Sequence, residues 1–190
     1  RWTRVRFFSK RWKQKKEATK GTPADHDVDG MHRLAAVDIG IVHMSLVVVE
    51  CAEDYTWTQI DSMELIDLTQ DLHRRVPRCA CALHHTKELA DRMAHFFQEY
   101  GPLFDSVEVI LVERQPLTGL QAVQLAFMSS PWRNKIQLLS PNQMHRHFGI
   151  HVLTYNQRKD ATCQLLKDIL QTTHQWSTYL PALQCMPRQH

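Results

Sequence analysis

The chain has 190 residues, a formal net charge of +3, 43% hydrophobic and 23% charged residues. That suits one ordinary domain with a real core, and no apolar run approaches the ~20 residues needed to span a bilayer. The charge is uneven: residues 1–20 carry nine Lys or Arg and one Glu, while the remainder is net negative by five. Basic character is therefore local to one end and not a property of the folded body.

Residues 1–30 read as a tail. RWTRVRFFSKRWKQKK is basic and aromatic, and GTPADHDVDG is a polar, turn-rich linker. With no apolar h-region, a secretory signal is not expected. A solvated disordered tail, a nuclear localisation patch, a mitochondrial-type presequence and an arm that tracks phosphates all remain open. Met31 opens the ordered part and is a possible native start. Five cysteines, Cys51, Cys79, Cys81, Cys163 and Cys185, show no regular framework spacing. A reducing, intracellular compartment is expected, with Cys51 and Cys163 as buried thiols.

Leu34–Val37 is a short apolar strand ending in Asp38-Ile39-Gly40, followed by Met44–Val49 and a weaker run over Ile60–Leu65. Three consecutive strands with short connections read as an antiparallel meander. CACALHH at 79–85 holds residues of metal-ligand type, but C-x-C-x-x-H-H departs from standard zinc spacings, so the sequence does not favour a structural zinc. Thr86 to Tyr100 is a helix, because Leu89, Met93, Phe96, Phe97 and Tyr100 recur on one face. Gly101-Pro102 is expected to stop it.

Val109–Val112 is a continuous apolar run between breakers, which predicts a strand buried on both faces. Glu113 stands at its carboxyl end, where a carboxylate needs a hydrogen bond, a cation or a metal. Leu120, Val123 and Phe127 mark another helix, and Lys135–Leu139 a fifth strand. Ser140-Pro141-Asn142-Gln143 reads as a capping box with proline at the first helical position. That helix should run to Phe148 and end at Gly149. A last helix covers roughly 156–171.

The order β-β-β-α-β-α-β-α-α predicts an α/β, ribonuclease H-like fold: a central mixed five-stranded sheet with flanking helices. It sets strands one and four side by side, so Asp38 and Glu113 converge at the carboxyl ends of adjacent central strands, where ligands of open α/β sheets gather. Two such carboxylates repel unless a cation lies between them.

VDIGIVHMSLVVVE at 37–50, LHHTKELADRMAHFFQEYG at 83–101, VILVERQPLTGLQAVQ at 109–124, LLSPNQMHRHFGI at 138–150 and YNQRKDATCQLLKDIL at 155–170 fall in the order of a known family. Together they resemble the poxvirus-type, RuvC-like Holliday junction resolvases of large DNA viruses, relatives of bacterial and fungal mitochondrial resolvases. The likeness spans about 140 residues from Leu34 to Trp176. The resemblance implies a domain over 31–176 with an irregular tail at 177–190, and a homodimer that cuts four-way DNA junctions with Mg²⁺ or Mn²⁺. Its acids fall at the D-x-G position, Asp38, and the E-R-Q position, Glu113. It also implies a role in DNA recombination and repair within a virus-infected cell or virion, with nucleus or mitochondrion suggested by the basic tail.

One departure stands out. The family's terminal helix supplies further acids, whereas no Asp or Glu follows Asp168 here. Asp160, in YNQRKD, would serve as a metal ligand only if the last helix were repositioned. The alternative to an active nuclease is a catalytically impaired junction- or DNA-binding protein that keeps the fold. Arg114, Arg146, Arg158 and Lys159, with His145, are candidates for phosphate contact. His43 and Gln115 are further neighbours of the two acids, Gln115 with an equal claim to a turn role beside Pro116.

Overall fold

The apolar run before Glu113 forms β4 (Val109–Glu113), whose first two residues and Val112 are buried. A computed structural model describes residues 31–54, 57–70, 80–116, 120–175 and 177–179. The basic tail, the 71–79 segment with Cys79, the 117–119 turn and Cys185 lie outside the described residues. The strands are β1 (His32–Asp38), β2 (Met44–Cys51), β3 (Trp57–Ile66), β4 and β5 (Ile136–Leu139), and they form one sheet in the order β3-β2-β1-β4-β5. β1–β2 and β2–β3 pair antiparallel, and β1–β4 pair parallel with Val37 opposite Val112. An antiparallel three-stranded meander joined to a parallel fourth strand is the ribonuclease H-like arrangement, and the sheet is mixed as the element order predicts.

The helices are α1 (Leu89–Asp105), α2 (Gln121–Met128), α3 (Pro141–His147) and α4 (Tyr155–Thr172). A boundary between Leu138 and Leu139 divides the chain into two compact units. In the first, β1 alternates, with Ala35 and Val37 buried and Ala36 and Asp38 exposed. Ala35, Val37, Met44, Leu46, Val48, Ile110 and Val112 pack with Met93, Phe96, Phe104, Val123 and Phe127 of α1 and α2 into the core. Period-two strands thus meet a period-3.6 helical stripe on one sheet face. Phe96 is fully buried and lies 4.9–5.8 Å, centroid to centroid, from Tyr100, Phe104 and Phe127.

α1 does not stop at Gly101-Pro102 but runs through both to Asp105. An interior proline costs about 3 kcal/mol. Against it stand the complete burial of Phe104 and the capping of the helix end by a distant residue. Lys135 Nζ donates to the carbonyls of Phe104 (3.1 Å), Asp105 (2.8 Å) and Val107 (2.9 Å), satisfying acceptors that a helix C-terminus leaves open. Trp132 Nε1 donates to Asp105 Oδ1 at 2.7 Å. Gly101 makes room for that indole, since a Cβ there would sit 3.3 Å from the ring.

In the second unit, Pro141 opens α3 as expected, but Ser140 makes no side-chain cap; its carbonyl accepts from the N–H groups of Gln143 and Met144. The side-chain exchange occurs instead at α4, where Thr154 N–H donates to Gln157 Oε1 at 2.9 Å. Gly149 ends α3 with φ of 71°, the left-handed conformation glycine adopts without strain. Cys51 is buried, but Cys163 is exposed, because it lies off the apolar face of α4. No described helix is long and apolar enough to cross a membrane.

Candidate active site

The parallel register of β1 and β4 decides where the site falls. Val37 pairs with Val112, so the next residues, Asp38 and Glu113, project from adjacent strand ends on the same face. That face is opposite the one α1 and α2 cover, and Ala36 on it is exposed. The chain leaves β1 through a tight return. A Cβ on Gly40 would lie 2.5 Å from the His43 carbonyl oxygen and 2.7 Å from its carbon, so the glycine of D-x-G is required by close backbone approach.

Asp38 stands close enough to Glu113 to raise its carboxyl by hydrogen bonding, and a bond between two carboxyl groups needs one of them protonated. Glu113 is half-buried, Asp38 exposed. Burial, and then the hydrogen bond and negative charge of Asp38, push the Glu113 carboxyl up from 4.5 to about 7. Gln115 opposes this weakly: its Nε2 donates to Glu113 Oε2 at 3.4 Å. Gln115 is itself fixed from α2, its backbone N–H donating to Gln124 Oε1 at 2.8 Å. The E-R-Q block therefore supplies an acid, an outward arginine and a glutamine that orients the acid.

Asp67, which sequence reading passed over, follows β3 and lies near the same turn. Leu68 N–H donates to the Ile41 carbonyl at 2.7 Å. Its oxygens are taken by Thr69 N–H (2.8 Å), Thr69 Oγ1 (2.6 Å) and Gln70 Nε2 (3.1 Å). These bonds, led by the Thr69 hydroxyl, hold its carboxyl below the usual range. Asp67 is thus a turn-forming acid at the site's margin. Among the described residues of the first unit, no third His, Cys, Asp or Glu clusters with Asp38 and Glu113.

Arg114 is exposed immediately after Glu113, and His43 is exposed in the β1–β2 turn. Arg146, Arg158, Lys159 and Asp160 belong to the second unit. Arg146 is exposed near the end of α3. Arg158 is half-buried and donates to the Leu153 carbonyl at 2.6 Å, so it braces the start of α4. Lys159 Nζ stands 4.7 Å over the Tyr155 ring, a cation–π contact that leaves the ammonium exposed. Asp160 is exposed on α4.

Fold and site together define a ribonuclease H-like domain with two facing carboxylates at the ends of its central parallel strands. No family model matches the chain, and no curated protein matches it. Among solved structures it is similar to Thermus thermophilus RuvC, at 16% identity and a TM-score of 0.42 over 65% of this chain and 74% of that one. It is also similar to the Fowlpox virus resolvase solved with its substrate Holliday junction DNA, at 14% identity and a TM-score of 0.48 over 76% and 87%. A Ppx/GppA enzyme of Aquifex aeolicus matches at 19% identity and a TM-score of 0.34 over 60% and 37%. Likenesses at these identities and TM-scores say nothing of the reaction.

Proposed function

We propose that the chain is a structure-specific endonuclease of branched DNA, acting through a divalent cation held by Asp38 and Glu113. The observation that carries this reading is the carboxyl pair on neighbouring strands, with Glu113 raised to about 7. A pair that must share a proton when alone is a pair that a divalent cation would relieve. Four hard oxygen atoms suit Mg²⁺, with Mn²⁺ as an alternative, each keeping several waters. When bound, such an ion activates water and stabilises the leaving oxygen in phosphodiester hydrolysis.

The chain's own groups have defined parts. Asp38 presents its oxygens at the open face, Gln115 fixes the rotamer of Glu113, and Gly40 permits the turn that keeps Asp38 at the strand end. Arg114 supplies an exposed cation beside the acids for a backbone phosphate. The motif blocks that resemble junction resolvases support a four-way junction as the substrate and a homodimer as the working form.

A second reading is a junction-binding protein with impaired cleavage, since among the described residues of the first unit no third ligand clusters with the pair. One experiment separates them: binding and cutting of labelled four-way junctions and matched linear duplexes, with Mg²⁺ or Mn²⁺ and with EDTA. Metal-dependent cutting confined to the junction supports the nuclease. Junction-selective binding without cutting supports the second reading, and equal affinity for both DNAs with no cutting refutes both.

A further inference from the structure

The loop before α1 folds back on that helix and brings together three side chains that the sequence keeps apart. Cys81 and His85 come from the loop and His95 from the second turn of α1, and their ligand atoms all lie within 4.8 Å of one another. All three are half-buried, whereas the neighbouring His84 is exposed. The adjacent histidines are thus sorted, one inward and one outward. The rings of His85 and His95 are 4.8 Å apart, and Nε2 of each is withdrawn from solvent.

The surroundings are those of a ligand set. His95 Nδ1 stands 2.6 Å from the Asp91 carbonyl, which can only accept, so Nδ1 carries the hydrogen and Nε2 of the neutral ring keeps its lone pair. A backbone carbonyl on the remote nitrogen is how metal-binding histidines are commonly oriented. Cys81 Sγ contacts Gln98 Oε1 at 3.6 Å, one helical turn beyond His95. The loop is tied to the helix independently of any ion. Thr86 N–H donates to Asp91 Oδ2 at 3.3 Å and its hydroxyl to the same oxygen, while Arg92 Nε donates to the Lys87 carbonyl at 3.0 Å.

We infer that Cys81, His85 and His95 form a zinc site that pins the loop before α1 to the helix, distinct from the Asp38–Glu113 pair. One thiolate and two imidazoles are borderline-soft donors that suit Zn²⁺ and not Mg²⁺. Tetrahedral zinc with bonds of 2.3 Å to sulfur and about 2.05 Å to nitrogen sets S···N edges near ~3.5 Å and N···N edges near ~3.3 Å. A cluster within 4.8 Å reaches that geometry by contracting about 1.5 Å or less, which side-chain rotation supplies. Among the described residues these three donors leave the fourth position of the tetrahedron open.

The test is zinc content of the untagged full chain after desalting, with cobalt substitution on the same preparation. One zinc per chain is expected. Cobalt should give thiolate charge-transfer absorption and the intense visible bands of a tetrahedral ion. Cys81→Ser and His95→Gln should each weaken zinc binding by more than the ~10–100-fold that loss of a supporting group costs, whereas Asp38→Asn should leave it unchanged. Absence of zinc and of cobalt–thiolate absorption from the folded wild-type chain would overturn the site. So would unchanged zinc affinity in both ligand variants. The cobalt spectrum of the wild type decides even if a variant fails to fold.

Discussion

Replacing Glu113 by Gln should make the metal-free protein more stable at alkaline pH, the reverse of the usual loss on altering a buried hydrogen-bonded residue. In the folded state the Glu113 carboxyl titrates at about 7 against 4.5 for the free group. Between these values the folded chain binds more protons than the unfolded one, so stability falls as pH rises through that window and stays low above it. Unscreened, the gap corresponds to about 3.4 kcal/mol at full ionisation. Glu113 is only half-buried, and solvent screening reduces this to about 1–2 kcal/mol. Gln keeps the shape and a hydrogen bond to Asp38 but cannot ionise. Urea unfolding in EDTA should therefore show Glu113→Gln gaining about 1–2 kcal/mol on wild type between pH 5 and pH 8, near 0.5–1 M in midpoint for a typical urea slope. Divalent cation should reverse the ranking, since an ion at about a hundred times its dissociation constant adds about 2.7 kcal/mol to the chain that binds it. A variant offset from wild type by the same amount at both pH values would refute the argument that the two acids strain one another.

Other expectations rest on separate contacts. Gly40→Ala forces a Cβ to within 2.5 Å of a backbone oxygen. It should cost about 1–3 kcal/mol in urea unfolding and weaken cation binding with it. Lys135→Met leaves three carbonyls at the end of α1 without their charged donor. It should lower stability by about 2–3 kcal/mol, seen as a lower thermal midpoint, despite the added apolar surface. Arg114→Ala should weaken binding to all DNA junctions alike and reduce the slope of log affinity against log salt by about one, measured by anisotropy titration.

Much of the fold is legible in the sequence because its signals are local. β4 is a continuous apolar run between breakers, β1 is a short apolar run before D-x-G, and the α1 stripe repeats at helical spacing. The pairing of Asp38 with Glu113 follows once the element order sets β1 beside β4. What escapes the sequence depends on partners far along the chain. Pro102 reads as a stop, but the carbonyls beyond it are met by Lys135, about thirty residues on. Ser140 and Thr154 have similar capping patterns, and only Thr154 makes the side-chain exchange. Cys163 sits among apolar neighbours in sequence but faces solvent on α4. CACALHH has no zinc spacing by itself, because His95 joins Cys81 and His85 only when the loop folds onto α1. No motif signals such a contact, although a histidine just off the apolar stripe was a visible hint. Asp67 was passed over for a related reason: its nearness to the site depends on the return of β3 alongside β2.

The most direct test of the account is Mn²⁺ binding at pH 8, followed by electron paramagnetic resonance of the free ion, in wild type, Asp38→Asn and Glu113→Gln. One ion site that weakens at least tenfold in both variants, and that weakens in wild type as pH falls through about 7, is the predicted result. Equal Mn²⁺ binding in all three proteins would contradict the claim that these two carboxylates together hold the cation.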